Sequence, residues 1–274
     1  MAGRMTDKVA LITGAARGQG RAHAVRLAEE GADIIAVDIC AGFEGTQYAP
    51  STEDDLDETV RQVEALDRRI VKQVVDTRDS AALTAAVEAG VAELGKLDVI
   101  VANAAICVIA PWDQVTPAIW QETIGVNLTG TWNTVMAGVP HLIAAGGGSI
   151  VLVSSVAGLK GLPFLVPYVA AKHGVVGLMR GFATELGRHK IRVNTLHPTA
   201  TDTPMNHIDP SVMGTPMADN AKVAPMLTNH FLELPGYGMT EPVDQANGVL
   251  FLASDESRFV TALTMTVDAG CSSF

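Results

Sequence analysis

The sequence predicts an α/β protein: a doubly wound parallel sheet of seven strands with helices on both faces. Seven short apolar segments alternate with longer stretches of helical periodicity, the pattern of successive βαβ units. Several of those segments, LDVIVA and SIVLV above all, are apolar without a break, as strands must be when helices cover both of their faces. No linker, low-complexity tract or repeat beyond the βα alternation interrupts the chain, so residues 1–274 read as a single domain.

The predicted strands lie at 9–12, 34–37, 70–75, 97–102, 149–153, 192–196 and 263–267. A glycine-rich turn and the helical RAHAVRLAEEG follow the first. The second runs into DICAGFEGTQYAPSTEDDLDET (38–59), where such connections usually take roughly 2 to 6 residues. Leu56, Val60 and Val63 then recur at helical spacing, and Thr52 with Asp55 resembles a capping box. The helix is therefore predicted to begin near Thr52, leaving residues 39–51 as an insertion. Helical patterns also carry Asn127, in IGVNLTG, and the pair Tyr168 and Lys172, in PYVAAKHG. A second irregular segment runs from 197 to 241, where Pro198, Pro204, Pro210, Pro216, Pro225 and Pro235 exclude a long helix.

With 48% hydrophobic and 18% charged residues, the chain has the composition of a soluble enzyme with a sizeable core. No apolar run approaches the roughly 20 residues that cross a bilayer, and the first residues lack an apolar core before a cleavage site. A cytoplasmic protein is expected. A net charge of −11 repels nucleic-acid phosphates and anionic lipid, so neither nucleic acid nor membrane is an expected partner. Cys40, Cys107 and Cys271 are too scattered for a metal site, and reduced, packed thiols without metal are expected.

The turn after the first strand reads Thr13-Gly14-Ala15-Ala16-Arg17-Gly18-Gln19-Gly20. Its glycines let the backbone approach a pyrophosphate, whose charge meets the N–H groups and positive end of the next helix. The spacing is G-x-x-x-G-x-G, not G-x-G-x-x-G, so the turn alone leaves a plain strand-turn-helix open. Asp38, ending the second strand 24 positions after Gly14, suits the hydroxyls of an adenosine ribose and repels a 2′-phosphate, which favours NAD. A strand-end turn former is the alternative for Asp38. Arg17 pulls the other way, because a guanidinium in the turn can pair with a 2′-phosphate.

Tyr168 and Lys172 share a face if their stretch is helical, although a Tyr-x-x-x-Lys pair by itself is usually a surface neighbour pair. Ser155 lies 13 residues earlier, just past an apolar strand, at the sheet edge where ligands bind. Together with Asn127 these residues can remove a proton from an alcohol during hydride transfer. A phenol with a pKa of about 10 needs a shift of roughly 3 units, about 4 kcal/mol, to act as a base near neutrality. The Lys172 ammonium is expected to lower it and to hold the nicotinamide ribose. Ser155 would donate to the substrate oxygen, and Asn127 would order a water beside Lys172.

The glycine turn TGAARGQG, Asn103-Ala104-Ala105, Asn127, Ser155 and Tyr168-x-x-x-Lys172 occur in an order and spacing that resembles the short-chain dehydrogenase/reductase family across nearly the whole chain. The resemblance implies a Rossmann-like single domain, a nicotinamide cofactor, Tyr168 as acid/base, and a homotetramer built from helix pairs and C-terminal segments. It implies cofactor contacts from Gly14, Arg17, Gly18, Gln19 and Gly20, and from Asp38, Tyr168 and Lys172. It adds Asp76 and Thr77 near the adenine, Asn103 and Ala104 beside the fourth strand, and Pro198, Thr201 and Thr203 near the carboxamide and phosphates. Two positions depart from the family pattern: Ala105 replaces a glycine, and Thr199 follows Pro198 where glycine is usual.

The segment 204–239 falls where that family builds its substrate lid. It carries Met205, Met213, Met217, Met226 and Met239 with Leu227, Phe231, Leu234 and Tyr237, and Lys222 is its only lysine or arginine. Such a lid suits a neutral, hydrophobic secondary alcohol or ketone, such as the cyclic terpenoid carveol, although these residues equally suit packing against the core or another subunit. A 3-oxoacyl-acyl-carrier-protein reductase is the nearest rival, opposed by Asp38 and by the acidic charge. A non-catalytic NAD-binding regulator is a second; such proteins typically lose the tyrosine or lysine, and both are present. The insertion, with Phe43 and Tyr48, is expected to cover the adenosine half or the nicotinamide mouth; a self-packed surface loop or an oligomer contact is the alternative. An insertion there resembles the mycofactocin-associated branch of the family, which includes carveol dehydrogenases. The resemblance implies NAD that stays bound and is reoxidised in place by mycofactocin.

Overall fold

A computed structural model describes residues 3–208, 224–227, 229–234 and 238–273. All seven expected strands form, as β1 (Val9–Thr13), β2 (Asp33–Asp38), β3 (Ile70–Val74), β4 (Val99–Ala102), β5 (Gly148–Val153), β6 (Ile191–Pro198) and β7 (Thr264–Val267). They make one parallel sheet in the order β3-β2-β1-β4-β5-β6-β7. The chain works outward from β1 to one edge, then returns to β4 on its other side. The crevice at that reversal, beyond the carboxyl ends of β1 and β4, is where such sheets bind ligands.

Strand residues alternate between faces, and both faces are apolar. Ala10, Ile12, Ile34 and Ala36 pack with Leu27, Leu56, Val249 and Leu250 on one side. Val9, Leu11, Ile35 and Val37 pack with Leu83, Val87, Val135 and Val175 on the other. This two-sided burial is why the strands read as unbroken apolar runs. The first layer contains α1 (Gly18–Glu29), α2 (Glu53–Glu64) and α7 (Pro242–Ala253); the second contains α3 (Ser80–Leu94), α5 (Thr131–Ala144) and α6 (Val166–Leu186).

Helix ends follow local chemistry. Thr52 caps α2 by accepting from the Asp55 N–H while the Asp55 carboxylate accepts from the Thr52 N–H, the expected capping box, and Glu53, Asp54 and Asp55 place negative charge at the positive helix end. Asp79 caps α3, and Gly95 closes it at φ 94°. The short α4 (Pro117–Ile124) starts with Thr116 as cap and runs into α5 through the π-helical turn Gly125–Gly130. The Thr131 and Thr134 hydroxyls donate to the Asn127 and Gly130 carbonyls at 2.8 and 2.7 Å in and just after that wider turn. Asn127 thus sits in a helix, as expected, but in one whose backbone spacing is irregular. Between β6 and α7 the described residues form only the short turns Pro204–Asn206 and Ala224–Leu227. Met213, Met217, Lys222 and Tyr237 lie outside the described residues.

Candidate active site

One cavity of about 470 Å³ opens at the carboxyl ends of β1, β2, β4, β5 and β6, within the usual range for small-molecule sites. Gly14 adopts φ +68°, where a Cβ would lie 2.9 Å from Ala104 Cα; a Cβ on Gly20 would lie 1.9 Å from the Gly14 carbonyl oxygen. The turn therefore packs backbone on backbone and brings the N-terminus of α1 to the cavity. Asn103 braces it, its Nδ2 donating to the carbonyls of Thr13 at 3.0 Å and Gly14 at 3.3 Å. Glycine backbone, helix N–H groups and positive dipole fit a pyrophosphate.

Asp38 is nearly buried beside this cradle. Its carboxylate accepts from the Ala16 N–H at 2.9 Å, the Cys40 N–H at 3.0 Å and the Ser51 hydroxyl at 2.8 Å. A carboxylate has about four acceptor positions, so capacity remains for a ribose hydroxyl. Arg17 does not stand ready for a phosphate. Its guanidinium donates to the Pro50 carbonyl at 2.9 Å and to the Ala49 carbonyl.

Residues 39–51 contain no helix or strand and span the cleft as a strap. One end is tied to Asp38 and Arg17 by the contacts just described. Further along, Phe43 lies under the Arg78 guanidinium, 5.0 Å from ring centroid to Cζ, and Arg78 is itself held by Asp76. Gln47 donates to the Ile109 carbonyl at 2.7 Å and accepts from its N–H at 3.1 Å, and the Tyr48 hydroxyl accepts from the Cys107 N–H at 3.2 Å. These attachments connect the turn after β1, the turn after β3 and the segment after β4.

Beyond the strap lies a buried polar group. Ser155 follows β5; its hydroxyl accepts from the Ala157 N–H at 3.1 Å, leaving its own proton to donate. Its carbonyl accepts from Nδ1 of the buried His197 at 2.7 Å, while Thr195 meets the other ring nitrogen at 2.8 Å. Burial depresses the His197 pKa, so the ring is neutral and Thr195 is the donor. Lys172, on α6, donates from Nζ to the Val153 carbonyl at 2.7 Å, with Nζ 5.5 Å from the Tyr168 ring centroid. Burial pushes the Lys172 pKa down to about 8, so the ammonium persists at neutral pH. The Tyr168 pKa moves opposite to the expectation. Burial raises it, the neighbouring Cys107 and Tyr48 raise it further, and a hydrogen bond with Ser155 only partly offsets them. Desolvation by the surrounding protein penalises the phenolate more than neighbouring groups favour it.

The expected residues separate into two sets. Gly14, Arg17, Gly18, Gln19, Gly20, Asp38, Asp76, Thr77, Asn103 and Ala104 line one part of the cavity, with Thr203 against Gly18, and Ser155, Tyr168, Lys172 and Pro198 line another. Thr201 and Asn127 do not line it. The fully buried Thr201 hydroxyl bonds the Thr199 carbonyl and the Thr240 hydroxyl, stitching two chain segments together. Both polar atoms of the Asn127 side chain pair with the main chain of Ile106 at 2.8 Å, so its carboxamide does not reach toward Lys172. Of the expected lid residues, Met205, Leu227 and Met239 face the cavity, whereas Met226 and Phe231 are exposed. Sequence reading gave no site role to Gln47, Cys107 or His230, all at or near this site; His230 is joined at 2.9 Å to Thr199, noted there only as a departure from the family pattern. No local motif marks them.

A cradle for a pyrophosphate leading to a half-buried phenol beside a buried hydroxyl and ammonium places the protein among the dinucleotide-dependent oxidoreductases. The chain belongs to the short-chain dehydrogenase/reductase family: residues 8–212 match the family model described as short chain dehydrogenase. Residues 205–272 match a model described as enoyl-(acyl carrier protein) reductase. The chain is 45% identical to (−)-trans-carveol dehydrogenase of Rhodococcus erythropolis, over 97% of this chain and 98% of that one. A short chain dehydrogenase from Mycobacterium paratuberculosis, solved bound to NAD, matches with a TM-score of 0.95 at 53% identity, covering 99% of this chain and 100% of that one. Carveol dehydrogenase from Mycobacterium avium, solved in complex with NAD, matches with a TM-score of 0.90 at 50% identity, covering 98% and 99%.

Proposed function

We propose that the protein interconverts a hydrophobic secondary alcohol of the carveol type and its ketone, using NAD that stays bound through turnover and is reoxidised in place by mycofactocin. The cofactor is NAD, which supplies the hydride acceptor in the oxidative direction. Asp38 and the glycine turn hold its adenosine and pyrophosphate. Ser155 donates to the substrate oxygen and Tyr168 takes the hydroxyl proton. Lys172 keeps positive charge beneath the phenol, which favours the phenolate once the cleft is filled. Asn127 acts by holding Ile106.

The observation that carries this reading is the strap, hydrogen-bonded both at Asp38 and Arg17 and at the segment after β4. A cofactor beneath it leaves only when several contacts break together. On the substrate side, the apolar Met205, Leu227 and Met239 support a neutral ligand. Among the described lining residues the only lysine or arginine side chains are Lys172 and Arg17, and Arg17 is engaged by the strap. That arrangement disfavours both a charged substrate and the NADPH expected of an acyl-carrier-protein reductase. The domain is single, with residues 39–51 as strap and 198–240 as lid.

Protein purified without added cofactor is expected to release NAD on denaturation, seen by absorbance and mass. It should oxidise trans-carveol with an artificial electron acceptor and poorly with free NAD alone. An empty protein that turns over rapidly with exchanging NAD would refute the bound-cofactor reading. Assembly is proposed as a homotetramer. In support, Trp132 and Met136, one helical turn apart on α5, are 43% and 47% exposed and together offer an apolar face that a second copy could cover. Light scattering should give four times the mass of one chain, and a monomer would overturn it.

A further inference from the structure

The segment after β4 forms a wall between the strap and the buried polar group, and two side-chain carboxamides grip its main chain. Asn127 pairs with the N–H and the carbonyl of Ile106, both at 2.8 Å. Gln47, from the strap, pairs in the same way with Ile109, at 3.1 and 2.7 Å. A carboxamide presents the donor and acceptor of a peptide group, so each behaves as a short piece of neighbouring strand. Between the two grips the Cys107 N–H donates to the Tyr48 hydroxyl at 3.2 Å. The wall in turn meets the reacting groups: Ile106, Cys107 and Ile109 line the same cavity as Ser155, Tyr168 and Lys172.

We propose that Gln47 and Tyr48 are positioning residues of the catalytic centre, setting the wall 106–109 against Tyr168 and Lys172 and so tying catalytic geometry to the closed strap. The opposite end of the strap, where Arg17 and Asp38 engage Ala49, Pro50 and Ser51, keeps its contacts when Gln47 or Tyr48 is changed, so either change alone is expected to leave the cofactor bound. Without Gln47 and Tyr48, Asn127 would remain the one side chain among the described residues hydrogen-bonded to the main chain of 106–109. The proposal rests on the reading of Tyr168 and Lys172 as the acting pair.

The test compares wild type, Tyr48→Phe and Gln47→Leu as purified holoenzymes. Three readouts are taken: NAD content, kcat and KM for trans-carveol with an artificial acceptor, and hydrogen–deuterium exchange of peptides covering 104–110. Each variant is expected to keep its NAD and its KM while kcat falls about tenfold, the equivalent of one well-placed hydrogen bond. Exchange of the wall amides should rise by about the same factor. A kcat and wall exchange unchanged in both variants would overturn the proposal. So would a loss of rate accounted for wholly by lost NAD, which would assign both residues to retention. If the wild type carries NAD but does not oxidise carveol, the substrate reading fails instead, and wall exchange still decides on Gln47 and Tyr48.

Discussion

Tyr168→Phe is expected to lower turnover by about 10²- to 10⁴-fold, the usual contribution of a positioned acid or base, while NAD stays bound. The change removes one oxygen from a half-buried ring at the cavity wall, so the cradle, Asp38 and the strap keep their contacts. Among Ser155, Tyr168 and Lys172 the phenol is the group left to accept the alcohol proton, since the Ser155 oxygen already accepts from the Ala157 N–H and Lys172 donates to Val153. Burial holds the Tyr168 pKa above its ordinary value in the open cleft. Its deprotonation therefore depends on the Lys172 ammonium and on what fills the cavity. The rate should rise with pH where the phenol loses its proton in the ternary complex, and Lys172→Met should move that limb to higher pH. Turnover of Tyr168→Phe within a few fold of wild type would remove Tyr168 from its assigned role.

Acid should weaken the fold through a residue the reaction does not use. His23 lies on the buried face of α1, fully enclosed, and neither ring nitrogen has a hydrogen-bond partner among the described residues. Burial pushes its pKa down to about 3 from 6.5. The ring is neutral in the folded protein and becomes protonated in the unfolded chain as pH drops below 6.5. Stability is therefore intact above that value and is lost as pH falls toward 3. By pH 4.5 the loss amounts to roughly 2 to 3 kcal/mol. His23→Leu removes the titration and one unsatisfied buried donor. Urea unfolding of both proteins from pH 7.5 to 4.5 should show the variant losing that much less. Parallel curves would mean that His23 is protonated or solvated in the native state. Comparing the pair cancels the carboxylates, such as Glu30, whose pKa Arg4 holds down to about 2.

Both predictions concern residues whose identity was visible in sequence, yet only Tyr168 could be singled out there. Its partners come at spacings that a helix and a strand end convert directly into proximity. Nothing about RAHAVRLAEEG distinguishes a buried, unpartnered histidine from a surface one. The same division runs through the site. The tight glycine turn, the strand end at Asp38 and the Thr52 capping box form where the sequence places them, because each depends on a few adjacent residues and on backbone rules. Arg17 was weighed against a 2′-phosphate because its true acceptors, Ala49 and Pro50, lie 32 and 33 residues away. Gln47 and Tyr48 reach Ile109 and Cys107 across 62 and 59 residues. Asn127 and Thr201 occupy the family's positions, but their side chains bond Ile106, Thr199 and Thr240 and do not face the cleft.

The amino-acid sequence by itself determined the seven strands, the parallel doubly wound order of their connections, the cradle after β1 and the Ser155, Tyr168, Lys172 set, because periodicity and short-range spacing act through neighbouring residues. Only the tertiary structure decided where residues 39–51 attach, that the phenol is pushed up by burial before anything fills the cleft, and which carboxamides hold the wall after β4. Those outcomes depend on desolvation and on hydrogen bonds between segments far apart in the chain, and neither exists until the sheet has assembled around the cavity.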